Sequence, residues 1–519
     1  MKLVTLLLVS LPLCAPAQTT GRLHGRIGTD PIRTPIKPDQ SEAPTSFLCP
    51  ATDNPQQLSA TEVTTLVYAA AEQSDNPAEV IAIVDRPGNP LAIYRRPQAI
   101  DSDVDTALSL ARTGAFFSNF NTPLSSRTVR AISRPNFPEN VPNTPSGALY
   151  GIENTNRGCF LNTTFLPGQA IPPSRNASNT NTGYGIATTF GGLPIFRNGT
   201  AVIGGIGIAG FSDQDAAEFA AFLALKMQGF LPNVPLPPPG AVFLDGFALP
   251  FITLTPPALQ SVPQATIMDG RFQIAPKAGK PIPDGWLVGP MAGSQLSKSD
   301  VTGIIQNAVN TANLTRAAIR LPIQNAEMMI AVVDLDGTIL GLYRMMDATI
   351  FSIDVSVAKA RNVVYFSDPN LTPQALSEDL PGVPVGTAVT NRTIGFGAQP
   401  FFPSGINANP PGPFFPLFLF DLAHPCTQGH QPKNANQSGI VFFPGSAPLY
   451  RNNVMVGGLG VSGDGVEQDD FVTSGGTLGF EAPLNIRADQ IIINKVRLPY
   501  LKFDRDPETG FTPASCPAH

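Results

Sequence analysis

Charge is scarce in this chain. Only 14% of its residues are Asp, Glu, Lys or Arg, against about 25% in an ordinary soluble domain. The formal net charge of -6 comes with no basic tract, which excludes nucleic acid as the main partner because nothing is placed to neutralise phosphates. Histidine is limited to four residues, of which His24 and His519 lie in terminal tails. No HExxH motif or paired CxxC motif occurs. Ser462 sits in Gly-Val-Ser-Gly-Asp rather than in a nucleophile elbow, with no histidine base recurring beside it. Zinc-peptidase and serine-hydrolase chemistry therefore lack their parts. No later segment reaches the ~20 apolar residues of a membrane span.

Proline (54) and glycine (47) are abundant instead, so long loops and turns must separate the regular elements. Met1-Lys2, the apolar run Leu3 to Leu13 and the small-residue site Ala15-Pro16-Ala17 form the three parts of a secretory signal peptide. Cleavage after Ala17 is expected, with secretion or a periplasmic location. Four cysteines then remain, Cys49, Cys159, Cys426 and Cys516. An even number in an oxidising compartment reads as two disulfides. Pairing each chain end with its own domain's insertion gives Cys49–Cys159 and Cys426–Cys516. The rival is a bridge between the two insertions, Cys159–Cys426.

Self-similarity organises the rest. Ala82-Ile83-Val84-Asp85 recurs 249 residues later as Ala331-Val332-Val333-Asp334. The same offset relates Gly88 to Gly337, Arg95 to Arg344, Asp105 to Asp354, Arg112 to Arg361 and Phe117-Ser118 to Phe366-Ser367. Arg127-Thr128 answers Arg392-Thr393, and Pro194 to Asn198 answers Pro448 to Asn452. A whole domain has been duplicated. The expected division is a signal peptide at 1–17, a tail at 18–46, domain one at 47–254, a Pro-rich linker at 255–295 and domain two at 296–519.

Ser59-x-x-Glu62 and Ser297-x-x-Asp300 are capping-box starts of helices. Val80 to Val84 and Met328 to Val333 each lead through a glycine turn into a second strand, as β-hairpins do. Second helices follow from about Asp105 and Asp354 to Phe117 and Phe366. After a Pro/Asn/Gly-rich insertion come another hairpin, turning at Asn198-Gly199 in copy one, and a helix over Asp213 to Lys226. Ala241 to Ile252 reads as a last strand. Helix, hairpin, helix, hairpin, helix implies an α/β (α+β) fold in which each domain is an antiparallel sheet flanked by helices. Gly205-x-Gly207-x-x-Gly210 and Gly458-x-Gly460-x-x-Gly463 mimic a dinucleotide fingerprint. They fall inside a hairpin strand, where glycine permits close backbone packing.

The run from Ile330 to Arg361, and the Pro448 to Asp469 hairpin with Gly457-Gly458, resemble the GlcG/HbpS family, which includes the C-terminal domain of PduO-type proteins. The likeness covers nearly all of copy two except its insertion, Pro369 to Gln437. Copy one diverges more, with Leu110 in place of Lys359 and Arg96 in place of Met345. The resemblance implies a profilin-like sandwich that oligomerises readily, and haem or a related tetrapyrrole as ligand.

The polar residues shared by both copies, Asp85/Asp334, Arg95/Arg344, Asp105/Asp354 and Arg112/Arg361, together with Lys359, are the candidate ligand-binding set. Carboxylates and guanidiniums gathered together suit an anionic ligand such as a propionate. A structural ion-pair network is the competing explanation. His424 and His430, flanking Cys426, are the candidate metal ligands, although a disulfide accounts for Cys426 more simply. Tyr343 and Met345 are further iron-ligand types that also suit a core. The leading expectation is an exported, non-catalytic protein that binds or senses a small ligand of haem or tetrapyrrole type, with the copies packed as an internal pseudo-dimer. An enzyme acting on a small carboxylated substrate through the Asp/Arg cluster of copy two is the alternative. A structural or assembly module with vestigial sites is a third reading.

Overall fold

A computed structural model describes residues 57–120, 122–159, 161, 185–234, 240–320 and 324–502. The expected signal peptide and N-terminal tail, with Cys49 and Cys516, lie outside the described residues.

Copy one runs α1 (Ala60–Ala71), β1 (Val80–Asp85), β2 (Pro90–Arg95), α2 (Asp101–Phe117), α3 (Ser126–Ala131), β3 (Gly192–Arg197), β4 (Ala201–Ala209) and α4 (Gln214–Met227). A short hairpin, β5 (Phe243–Leu244) with β6 (Phe247–Ala248), stands where one long strand is expected over Ala241 to Ile252. Its Asp245-Gly246 turn, with both residues at positive φ, is the turn chemistry that breaks the run in two. The Pro-rich segment 255–295 holds α5 (Gln264–Ile267), β7 (Arg271–Ile274) and β8 (Gly285–Val288). Copy two continues with α6 (Lys298–Asn313), β9 (Met329–Val333), β10 (Ile339–Arg344), α7 (Phe351–Phe366), α8 (Pro373–Asp379), α9 (Asn391–Gly397), α10 (Phe415–Ala423), β11 (Ser446–Arg451), β12 (Val454–Ser462), α11 (Val466–Gly476) and the small hairpin β13 (Ile492–Ile493) and β14 (Val496–Arg497). Ser59 and Ser297 close the capping boxes expected of them.

Each copy builds an antiparallel five-stranded sheet, ordered β3-β4-β1-β2-β7 in the first and β11-β12-β9-β10-β8 in the second. The segment read as a linker thus supplies the fifth strand of both sheets. Asp85 and Asp334 anchor it, accepting from the Lys280 and Ser294 backbone N–H groups.

Alternation along the strands divides the core into layers. Ile81 and Ile83 pack with α1 and α4, and Ile330 and Val332 pack with α6. Val80, Ala82 and Val84 face the other way, into a cluster that also contains Met329, Ala331 and Val333 of copy two. The two copies therefore share one apolar core, with α2 and α7 in its middle. Phe117 stacks on Phe351 at 4.2 Å, and all 16 residues of α7 are buried. Strands buried on both faces read as unbroken apolar runs, which is why Val80–Val84 shows no polar alternation.

The fingerprint glycines let this layer close. A Cβ on Gly205 or Gly207 would stand 2.0 Å from the carbonyl oxygen of Ala111 or Ala107. On Gly458 and Gly460 it would meet those of Ala360 and Ser356 at 2.4 and 2.0 Å. The obstacle is helix backbone, which cannot step aside. Gly460→Ala is expected to destabilise the chain by at least about 1–3 kcal/mol. A denaturant midpoint equal to wild type would show that the helix backbone does not lie there.

The insertions clasp one another. Asn407 bonds to Asn136 and Asn143 across the copies, and Arg157 pairs with the buried Asp421. Cys159 bonds to Cys426. This corrects the expected Cys49–Cys159 and Cys426–Cys516 pairing. Packing copy on copy puts the two insertions side by side, so each cysteine meets its counterpart before a chain end. Non-reducing peptide mapping should recover the Cys159–Cys426 link, and converting both residues to Ser should cost on the order of 3–5 kcal/mol because so long a loop is closed. Recovery of free thiols at both positions would contradict the clasp.

Candidate functional site

The shared polar residues do not converge on one site. Arg95 and Arg344 each tie down the loop that follows their strand. Arg95 donates to the Ala99 carbonyl and pairs with Asp101 at 2.9 Å. Arg344 donates to the Ala348 carbonyl and pairs with Asp284 at 2.5 Å. Arg112 and Arg361, both buried, donate through Nε to the Gly88 and Gly337 carbonyls at 2.8 and 2.9 Å, pinning each helix to the hairpin turn beneath it. Asp105 is half-buried on α2. Asp354 is fully buried and accepts the backbone N–H of Asn156 from copy one. Burial raises it to about 7 against the pull of that hydrogen bond, Arg157 and Arg361.

His424 bonds to the Phe420 carbonyl and His430 to Asp379 at 2.7 Å. Their rings pack on Phe420 at 3.9 and 4.0 Å. With Cys426 in a disulfide, the expected Cys/His cluster is held together by packing. Among the described residues no group of three or more His, Cys, Asp or Glu could hold a metal ion. Tyr343 and Met345 are in the outer core of copy two.

Lys359 behaves differently. Its amine is fully buried and donates to the Val461 carbonyl at 2.7 Å and to Asp469 Oδ2 at 2.8 Å. Desolvation pushes the lysine down and Asp469 up to about 7, against their mutual attraction. Asp469 lies on the wall of a cleft of about 900 Å³ between the copies. The copy-one wall includes Phe137, Leu149 and Tyr150 from the insertion and Phe247 from the β5–β6 hairpin. The copy-two wall includes Phe351, Phe396, Phe442 and Phe443. Arg392, Arg497 and Lys502 bring positive charge to it, with Asp245, Glu467, Asp469 and Asp489 opposing.

Comparing the copies separates scaffold from site. Arg127 pairs with Asp215 and Glu218, and Arg392 pairs with Glu467 and Asp470 in the same way. Glu218 takes the Thr253 N–H and Asp470 the Lys502 N–H. This trio is a repeated structural lock. Within the same helix frame, Ala217 stands where Asp469 does, and Leu110 where Lys359 does. Asp213 caps α4 by accepting from Asp215 N, whereas Gly465 at the start of α11 has no side chain to do so. Gly465, Val466 and Glu467 line the cleft, so the positive end of α11 opens on it.

Sequence reasoning reached Lys359 and missed Asp469, Arg497 and the cleft. The trio spacing, Asp215/Glu218 against Glu467/Asp470, was the available signal for aligning α11 with α4 and exposing Asp469 as an addition.

The two-copy antiparallel α+β architecture has a family to match. The family model described as haem degrading protein HbpS-like matches residues 57–224 and 297–476. The chain belongs to this HbpS-like family, in two tandem copies. Similar solved structures include the Klebsiella pneumoniae protein ORFY of family DUF336, 21% identical over 36% of this chain and 99% of its own, with a TM-score of 0.25. A PduOC:heme complex is 20% identical over 36% of this chain and 96% of its own, TM-score 0.23. A double mutant of HbpS from Streptomyces reticuli is 22% identical over 38% and 98%, TM-score 0.19. No curated protein matches the chain significantly. No described helix is long and apolar enough to cross a membrane.

Because burial holds Asp354 above its unfolded value, its protonated form favours the fold. Its contribution is fullest below about pH 4 and is lost as the pH rises through about 7. The melting temperature should therefore fall between pH 5 and pH 8, and Asp354→Asn should narrow that fall. An unchanged pH dependence in the variant would place the group elsewhere.

Proposed function

We propose that the chain is an exported protein that binds or senses a small ligand of haem or tetrapyrrole type in the cleft between the copies, without catalysing its conversion. The observation that carries this reading is the cleft itself: aromatic walls for a flat apolar body, and an uncapped helix start with Arg497 for carboxylates. The family description, which names haem, and the solved PduOC:heme complex support the choice of ligand class. Export rests on the N-terminal pattern and agrees with a disulfide between Cys159 and Cys426. N-terminal sequencing of secreted protein should begin at Gln18.

The cleft fits the periphery of a haem better than its iron. No His, Cys or Met lines it among the described residues, and Tyr150 and Tyr500 are the lining side chains of a type that binds iron. Bound there, haem would supply redox and ligand-gas chemistry. This chain's residues would stack on the macrocycle, hold its carboxylates at Arg497 and the start of α11, and exclude water.

A second reading, chemistry performed on the ligand, is supported by the family's description as haem degrading. Haemin titration followed by absorbance separates the possibilities. Saturable binding with a Soret band that survives, shifted or not, when a reductant is added in air supports the binder, and bleaching by oxygen under those conditions supports the enzyme. Arg497→Ala should weaken binding roughly fivefold to tenfold, in keeping with loss of a partly exposed charge contact. Arg344→Lys should lower stability and leave affinity alone. Affinity lost in the Arg344 variant and kept in the Arg497 variant would move the site to the hairpin arginines.

A further inference from the structure

Asp469 is 2% exposed, and only one of its oxygens is used. Oδ2 takes the Lys359 ammonium, while Oδ1 has no hydrogen-bond partner among the described residues. A buried carboxylate oxygen left without a donor costs about 1–3 kcal/mol or more. Where such an oxygen belongs to a residue on a cleft wall, a ligand can supply the missing donor. The fold does not require the pair, because copy one builds the same helix-on-sheet contact with Leu110 and Ala217 at the equivalent positions. Copy two carries both the lysine and the aspartate, copy one neither, and the pair lies beside the cleft.

Taking the tetrapyrrole-binding cleft as given, we infer that its ligand is a metal-free tetrapyrrole whose ring nitrogens carry hydrogen, with Asp469 accepting from those N–H groups and Lys359 holding the carboxylate in place. Haem offers Asp469 no ring N–H, because all four of its nitrogens are bonded to iron. A metal-free porphyrin and an open-chain bilin share an aromatic body, propionates at the edge and pyrrole N–H groups; the bilin presents its N–H groups directly, and the porphyrin does so when its ring puckers to turn them out of plane.

Tyr150 is a poor iron ligand: it stacks on Phe418 at 5.2 Å, and burial pushes its phenol up, away from the phenolate that iron prefers. Desolvation raises the Asp469 carboxyl against the attraction of Lys359, and a carboxylate held by an ammonium accepts from a pyrrole N–H.

Full-length mature protein should be titrated with haemin, zinc protoporphyrin, protoporphyrin and biliverdin, read by absorbance and fluorescence. Zinc protoporphyrin and protoporphyrin have the same edge and differ only at the centre. At least one N–H-bearing ligand is expected to bind roughly tenfold to a hundredfold more tightly than zinc protoporphyrin and haemin, the range of one charge-assisted hydrogen bond. Which of the two binds better identifies the porphyrin or the bilin as the source. Replacing the pair with copy one's own residues, Lys359→Leu with Asp469→Ala, should erase the preference while the melting curve stays cooperative. Asp469→Asn alone should reduce it. Tighter binding of haemin or zinc protoporphyrin by the wild type, or an undiminished preference in the double variant, would overturn the inference and leave the binding cleft standing. Failure of all four ligands to bind would remove the cleft reading itself.

Discussion

The rest of the structure depends on how closely a helix can lie on a sheet. At Gly205, Gly207, Gly458 and Gly460 the strand has no side chain to hold α2 or α7 away. The helix backbone therefore sits against the strand. The middle layer becomes thin enough for two copies to share one apolar core. A thin, shared core leaves no water around α7, so each polar side chain on it must find a partner inside the protein. Arg361 reaches the turn at Gly337, Asp354 takes an N–H from the other copy, and Lys359 takes Asp469. The ion pairs follow from the packing, and most of them serve it.

Duplication supplies an internal control. Contacts present in both copies, such as the two arginine–carboxylate trios and the helix-pinning arginines, are what one copy of this fold needs. Contacts present in one copy have another cause. Three differences fall together in copy two: Lys359 for Leu110, Asp469 for Ala217, and the uncapped Gly465 for the capping Asp213. Asp469 and Gly465 lie on the cleft, and Lys359 lies directly behind it. The insertions form the other wall, and the Cys159–Cys426 bond holds them against each other. Packing, covalent closure and the cleft are thus parts of one arrangement.

Much of the fold was legible because its signals are local. Capping boxes at Ser59 and Ser297, the Asn198-Gly199 turn and the 249-residue offset each needed only nearby residues or a repeat. The fifth strands were not legible. Arg271–Ile274 and Gly285–Val288 are short edge strands in a Pro-rich stretch, and only the sheet beside them makes them strands. The Cys159–Cys426 disulfide was ranked behind its rival pairing for a similar reason, since copy-on-copy packing decides which cysteines meet. Repetition identified Arg95, Arg112, Arg344 and Arg361, but repetition marks what the scaffold needs as strongly as what a ligand needs. Asp469 does not repeat, so a search for shared residues passed over it.

The central claim is that the ligand lies between the copies, against Phe351, Phe443 and Asp469. A crystal structure of the protein grown with the tightest-binding tetrapyrrole tests it most directly. The account predicts the ring system between residues 137–150 of copy one and 462–469 of copy two, with a carboxylate at the start of α11 or Arg497. A ring found instead beside His424 and His430, or on the loop held by Arg95 or Arg344, would contradict it.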